Sequence, residues 1–310
     1  MGRYILKRLI ISLFTVWVLV TAVFFLVRAM PGDPFLSDKL TPEIREHMMR
    51  YHGFDQPLYV QYLRYLGKLI QGDLGVSMYY NGLPIRQMIA EAFPYSADLG
   101  IRALLLATAV GISLGIISAL QRGRTLDYVC IIIAILGVSL PDFVTGYLLQ
   151  YFFALKLKLF PVALWRGFRY TILPTVALSF YTTALLTRMM RASMLEVVGQ
   201  DYIRVARAKG LSTVQILWRH QLRNAILPVV TVLGPVTAAI LSGTFIIETI
   251  YAIPGMGKYY VNGIQNLDYS QILGMTIFYG TFLILANFLV DIIYGFIDPR
   301  IRVDRRDARS

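Results

Sequence analysis

Leu9-Ile10-Ile11-Ser12-Leu13-Phe14-Thr15-Val16-Trp17-Val18-Leu19-Val20-Thr21-Ala22-Val23-Phe24-Phe25-Leu26-Val27 is an unbroken uncharged run. A helix of about 20 apolar residues spans a hydrocarbon core about 30 Å thick. Inside lipid only a helix satisfies all of its own backbone polar groups. Working outward, five more runs follow: Ala103–Leu120, Tyr128–Leu155, Ile172–Met190, Ala225–Ile247 and Ile272–Ile297. The expected class is therefore an all-α integral membrane protein with six transmembrane helices. The fourth run is the most polar, through Ser179, Thr182, Thr183 and Thr187, so its ends are the least defined. Composition agrees: 15% of the 310 residues are charged, against about 25% in soluble domains.

An even number of spans places both termini on one side, and charge selects it. Segments 1–8, 121–128, 188–223 and 297–310 hold 17 of the 30 Lys and Arg and 6 of the 18 acids, a net of +11 out of +12. Positive residues flanking membrane helices mark the cytoplasmic face. Both termini are thus expected in the cytoplasm, in the cell membrane, and the basic balance follows from topology. It calls for lipid around the helices and no nucleic acid, since no soluble reading module is present. Arg3, Lys7 and Arg8 precede the first run as in a secretory signal. The run is long for a signal, and Arg28-Ala29-Met30-Pro31 is a poor cleavage site, so a retained first helix is expected. The single cysteine, Cys130, excludes an intrachain disulfide.

Residues 31–96 form a polar segment on the expected outer side, too long for a loop without structure of its own. Thr41-Pro42-Glu43-Ile44 has the Thr cap and Pro of a helix start. Leu58, Leu63, Leu66, Leu69 and Ile70 recur at helical spacing. Turns are expected at Gly32-Asp33 and Gly72-Asp73, giving a small helical extracytoplasmic subdomain. The outer loop 156–171 carries Trp165, Phe168 and Tyr170, and segment 248–271 is rich in turn residues.

The longest inner segment, 191–224, reads as two short helices. Asp201 can cap Tyr202–Lys209, with Gly210 just past the end and Lys209 favoured by the dipole. Ser212 and Gln215 have capping-box spacing. Tyr202, Val205 and Ala206 share one face, with Arg204 and Arg207 on another. Such a rod suits a groove on a partner protein; a solvated connector on lipid headgroups is the plainer alternative.

Gln200-Asp201-Tyr202-Ile203-Arg204-Val205-Ala206-Arg207-Ala208-Lys209-Gly210-Leu211, with His220-Gln221-Leu222-Arg223-Asn224-Ala225-Ile226-Leu227-Pro228, resembles the EAA loop of ABC-importer permeases. The dipeptide and oligopeptide branch is the nearest match. Pro31-Gly32-Asp33-Pro34, Gly72-Asp73-Leu74-Gly75, Ser139-Leu140-Pro141, Ile253-Pro254-Gly255-Met256-Gly257 and Asp298-Pro299-Arg300 extend the resemblance along the chain. Arg204, Val205 and Ala206 stand where the general motif has Glu-Ala-Ala, a divergence shared by the peptide branch. The resemblance implies a type I ABC-importer permease fold and assigns Tyr202–Leu211 as a coupling helix. It also implies a second homologous permease, two ATPase subunits carrying ATP and Mg, and an extracellular substrate-binding protein. It further implies peptide uptake, although related permeases move nickel chelates or glutathione.

No Gly-x-x-x-x-Gly-Lys-Ser/Thr phosphate loop occurs; Gly255-Met256-Gly257-Lys258 lacks the spacing. The chain is expected to be no enzyme and to bind no cofactor. His47, His52 and His220 are too scattered for a metal site. Within the third run, Pro141 invites a break, and an acid at Asp142 is expected to face the bundle interior or water. Ser139, Pro141 and Asp142 are thus candidates for the translocation path, with Gly234 and Pro235 as a flexible point in a helix that the resemblance makes pathway-lining. Glu248 is a candidate outer-gate residue that interfacial water would equally accommodate. Asp291, near the inner end of the last run, reads as structural. The expected layout is 1–30, tail and first helix; 31–96, outer subdomain; 97–297, permease core containing 191–224; and 298–310, cytoplasmic tail. An intramembrane enzyme would need a base at membrane depth, and no His lies in a run. An ion-coupled transporter could use Asp142 and Asp291 but leaves 191–224 without a purpose.

Overall fold

Helix follows wherever the apolar runs lie. The computed structural model describes residues 2–31, 46, 50, 53–80, 82–242 and 244–297. In chain order the helices are α1 Gly2–Ala29, α2 Leu58–Ile70, α3 Ile85–Leu120, α4 Thr125–Ser139, α5 Asp142–Leu149, α6 Phe168–Val198, α7 Asp201–Ala208, α8 Thr213–Ile216, α9 Leu222–Ser242, α10 Thr244–Ile250, α11 Met256–Gln265 and α12 Tyr269–Ile297. Gln150–Lys156 continues α5 as π-helix, and Leu217–Gln221 joins α8 to α9 the same way. Among the described residues the sole β pairing is an isolated antiparallel bridge between Val76 and Pro84.

Four helices are long and apolar enough to cross a membrane: α1, α3, α6 and α12. The third predicted run is not one rod. Its halves, Thr125–Ser139 and Asp142–Lys156, meet at 110° and count as a fifth span only if taken together. The break has a local cause. Leu140 is extended (φ −90°, ψ 125°), as residues before proline tend to be, and Pro141 precedes α5 with ψ 145°. The fifth predicted run falls on α9 and α10, of 21 and 7 residues. The expected six spans are thus represented by four or five among the described residues. The second run starts earlier than expected, at Ile85, and α3 passes through the anticipated boundary at 96/97. Charged residues interrupt the apolar pattern there but serve the helix: Arg102 Nε reaches both Asp98 oxygens at 2.9 Å one turn away.

The chain divides into two units, 1–94 with 255–310, and 95–254. In the 95–254 unit α6 is the central element. Of its most apolar stretch 61% is buried, against 22–33% in the other three spans. That burial explains its polarity. Ser179, Thr182 and Thr187 are buried, and hydroxyls return bonds to their own helix, Thr187 Oγ1 to Thr183 O at 2.7 Å and Ser179 Oγ to Val176 O at 3.0 Å. Small residues let α3 and α4 approach it. A Cβ on Gly111 would lie 2.8 Å from Leu186 Cβ, one on Gly115 2.6 Å from Met190 Cβ, and one on Gly137 2.6 Å from Ala184 Cβ. Two clusters make up the core. One joins Leu99, Leu178, Ile247 and Tyr251, with Trp165 packed against it. The other joins Ala119, Met190, Met194, Ile203, Ala206 and Ala225.

In the other unit α1 packs on α12 through Val20, Phe24, Leu273 and Ile277. The expected helix around Leu58–Ile70 exists as α2, yet none of its residues is buried. Leu66 and Leu69 pack against that cluster, while Leu58, Leu63 and Ile70 face outward. Gly72, at φ +77°, closes α2: its N–H bonds Leu69 O at 2.9 Å and Asp73 N–H bonds Lys68 O at 3.0 Å, a Schellman ending. The buried Asp268 carboxylate caps α12 by accepting from Gln271 N at 3.0 Å. It also accepts from Ser77 Oγ, Met78 N and Tyr79 N, which pins the 77–79 loop. The expected features at Gly32-Asp33, Thr41-Pro42-Glu43-Ile44, His47, His52 and 298–310, and the side chain of Asp291, lie outside the described residues.

Candidate functional site

The segment after α6 builds a short rod on a rigid base. Gly199 ends α6, Gln200 takes extended geometry (φ −77°, ψ 147°), and α7 begins at Asp201. The N-cap is thus Gln200, a correction to the capping role expected of Asp201. As the first helical residue, Asp201 places its carboxylate at the positive end of the dipole. It sits 3.4 Å from Arg204 Nη1, with both groups exposed, so the pair contributes little. The far end follows the glycine rule. Lys209 is the C-cap, Gly210 has φ +78°, Gly210 N bonds Arg207 O at 2.9 Å and Leu211 N bonds Ala206 O at 3.3 Å. Any other residue at Gly210 is strained; Gly210→Val should cost about 1–2 kcal/mol and fray the rod, read as faster hydrogen exchange at 205–211.

The faces of α7 differ from the expected ones. Ile203 and Ala206 are buried, at 0% and 4% exposure, in the cluster with Met190, Met194, Ile216 and Ala225. Tyr202 and Val205 are exposed, as are Arg204, Arg207, Ala208 and Lys209. Ala206 is therefore a fastening residue and not part of an outward face, because the turn at 199–200 lays the Ile203 side onto α6 and α9. Leu211 packs half-buried against the same cluster. Tyr202 Oη accepts from Asn224 Nδ2 at 3.0 Å.

Ser212 and Gln215 form both bonds of the capping box, Gln215 N to Ser212 Oγ at 3.3 Å and Ser212 N to Gln215 Oε1 at 3.0 Å. From there the chain stays helical through His220 into α9, and Ile216 and Ala225 pack in the same cluster as Ile203 and Ala206 of α7. What leaves the base is an outward face of Tyr202, Val205 and Ala208 with the cations Arg204, Arg207 and Lys209, beside the exposed Asp201. It can dock a groove; it holds no nucleophile–base pair.

A clamp that sequence reasoning did not find stiffens the base. The carboxylate of Asp127, 2% exposed, accepts from Ser118 Oγ at 2.5 Å, Gly123 N at 2.9 Å, and Arg191 Nε and Nη2 at 2.8 and 2.9 Å. It joins α3, α4 and α6 just ahead of α7. Asp127→Ala leaves Arg191 unpaired and only 26% exposed at its side chain. We expect a loss of about 2–4 kcal/mol, discounted for that exposure, seen as a lower Tm in detergent.

The path candidates lie on four helices, α4, α5, α9 and α10, and at the break between the first two. Ser139 is exposed at the end of α4, Pro141 is exposed at the break, and Asp142 is half-buried as first residue of α5. Gly234 is buried and Pro235 exposed within α9, which stays helical through both. Glu248, in α10, is 1% exposed, so interfacial water does not surround it, contrary to the solvated alternative. The structure joins α5 to α10: Tyr251 Oη donates to Gly146 O at 2.9 Å, and Gln150 Nε2 donates to Ile250 O at 3.1 Å. Among the described residues no group of three or more His, Cys, Asp or Glu could hold a metal.

Two family models match this chain. "Binding-protein-dependent transport system inner membrane component" covers residues 111–303 and its N-terminal companion residues 1–99. The dipeptide transport system permease protein DppB of Bacillus subtilis is 44% identical over 99% of this chain and its own whole length. The oligopeptide transport system permease protein OppB of Salmonella typhimurium is 41% identical over 97% of this chain and all of its own. Among solved structures, the MetNI methionine ABC transporter in inward-facing form shares the fold at 14% identity and a TM-score of 0.53, covering 68% of this chain and 95% of that one. An amino acid ABC transporter gives 15% identity and 0.51, covering 66% and 92%. Both the family models and the full-length relatives lead to one assignment: this chain belongs to the binding-protein-dependent transport system inner membrane components, the permease subunits of ABC importers.

Proposed function

We propose that this chain forms half of the membrane pathway of an ATP-driven importer of di- or oligopeptides. The second half is a homologous permease. Two ATPase subunits, with ATP and Mg, sit at the cytoplasmic face where both termini lie, and an extracellular binding protein delivers the peptide. The permease itself is not an enzyme. The observation that carries the coupling role is α7: its Tyr202, Val205, Arg204 and Arg207 face outward while Ile203 and Ala206 fasten it to α6 and α9. Force on the outward face therefore reaches helices at membrane depth without passing through a flexible loop. The peptide reading is supported by the names of the relatives.

In the proposed cycle, closure of the ATPases on ATP pulls the rod, and α9 tilts with it. The α5–α10 contact then shifts, carrying Asp142 and Glu248. Purifying the chain with its partners in lipid and measuring ATP-dependent uptake of labelled dipeptide tests this. Uptake by the chain alone under an ion gradient would refute it. For the pathway role, Asp142→Ala should cut peptide uptake at least tenfold while ATPase activity and assembly persist; normal uptake would remove Asp142 from the path.

A further inference from the structure

The unit built from 1–94 and 255–310 encloses a cavity of about 430 Å³ that the coupling cycle does not use. Phe24 and Val27 of α1 and Leu273 of α12 give it an apolar wall, while Arg28, Arg64 and Lys68 give it a basic one. Among the described lining residues there are three cations and no carboxylate. Arg28 is the informative one. Its guanidinium lies 4.0 Å from the ring centre of Phe54 and 5.3 Å from that of Phe24, yet its Nη1 is buried without a hydrogen-bond partner. The rings offset part of the desolvation through their π faces, but they accept none of the in-plane N–H bonds.

Two further lining atoms share that condition. Tyr65 Oη and Gln61 Oε1 are buried without a partner. Gln61 Nε2 is already committed to Gln56 O at 2.7 Å, which fixes the amide with its oxygen as an open acceptor. Buried polar groups are normally bonded, so the cavity asks for a molecule with an oxyanion for Arg28 and Tyr65 and a hydroxyl for Gln61. A guanidinium matches phosphate or carboxylate oxygens in pairs. Position decides between them. Arg28 stands in the last turn of a membrane-spanning helix, at the level where a bilayer carries its phosphates. Phe24, Val27 and Leu273 on the opposite wall give the first carbons of an acyl chain an apolar surface.

We propose that this cavity binds an anionic phospholipid with a hydroxylated headgroup, of the phosphatidylglycerol type. Its phosphate rests on Arg28 and Tyr65, a headgroup hydroxyl donates to Gln61, and Arg64 and Lys68 guard the mouth. The bound lipid fixes α2 onto α1 and α12. The inference rests on this unit alone and is independent of the peptide reading.

The full chain, purified in detergent and equilibrated with equal amounts of phosphatidylglycerol, phosphatidylethanolamine and phosphatidylcholine, is examined by native mass spectrometry. Phosphatidylglycerol should be retained selectively, and retention should fall at least tenfold in Arg28→Gln. Because Arg28 packs between two rings, the exposed pair Arg64→Gln/Lys68→Gln is tested as well. It should unfold at the wild-type temperature without lipid and lose retention several-fold. Equal retention of the three lipids, or unchanged retention in the double variant, overturns the proposal. So does displacement of the lipid by inorganic phosphate or by the dipeptide Ala-Ala at low millimolar concentration, because the site would then be one for a free anion.

Discussion

Substituting Arg204→Glu, Val205→Glu and Arg207→Glu together should lower ATP-driven peptide uptake at least 100-fold while leaving the permease folded and in the membrane. All three side chains are exposed, so the core does not register their loss. In a docked complex the consequences differ. A carboxylate carried into a desolvated groove without a partner costs about 3 kcal/mol or more, which is roughly 100-fold or greater in binding. The control is Ala206→Trp. Ala206 is only 4% exposed in the cluster with Met190 and Ala225, so a bulky residue there should reduce yield and thermal stability rather than uncouple a folded complex. Uptake and ATPase rates in proteoliposomes, with Tm for both variants, separate the two outcomes. A folded triple variant that transports normally would remove α7 from the coupling path.

The second large effect concerns the helix contacts behind α7. Gly115→Leu should abolish accumulation of folded protein. A Cβ at Gly115 meets Met190 Cβ at 2.6 Å, Thr187 O at 2.8 Å and Arg191 N at 3.1 Å. Two of those atoms are backbone on the most buried helix and cannot swing away. Overpacking of this kind typically costs about 1–3 kcal/mol per site, more where the backbone must move. Arg191 also holds Asp127, so separating α3 from α6 loosens the clamp as well. Ser113→Leu, on the exposed side of the same turn, should be tolerated. Membrane-fraction yield and Tm measure both; a Gly115→Leu protein as stable as wild type would show that α3 and α6 are not in close contact.

The sequence made legible whatever depends on short range. Uncharged runs located α1, α6 and α12, the glycine at 210 marked the end of α7, and the spacing of Ser212 and Gln215 announced a capping box that forms. What it hid depends on the third dimension. The start of α3 was masked because Arg86, Glu91, Asp98 and Arg102 interrupt the apolar pattern that defines a run, though they suit the helix surface. The polarity of the fourth run read as an uncertain span and is instead the mark of a central, buried helix whose Ser179 and Thr187 hydroxyls bond its own carbonyls. Periodicity could place Tyr202, Val205 and Ala206 near each other. It could not say that the Ile203 side is the one pressed onto α6 and α9, since that depends on the turn at Gly199-Gln200. Asp127 finds its arginine 64 positions away, beyond any local pattern. Pro141 did signal the break; its 110° angle was not readable from residue types.

The docking of α7 on the ATPase subunits is tested most directly by cross-linking from position 205. The native Cys130 is buried, so Val205→Cys offers a single accessible thiol on the chain. A short thiol–amine cross-linker applied to the assembled complex should join position 205 to an ATPase subunit, with Ile70→Cys on α2, where Ile70 is 87% exposed, giving no such product. Labelling of position 205 at full solvent rate in the complex, with no ATPase adduct, would contradict the account.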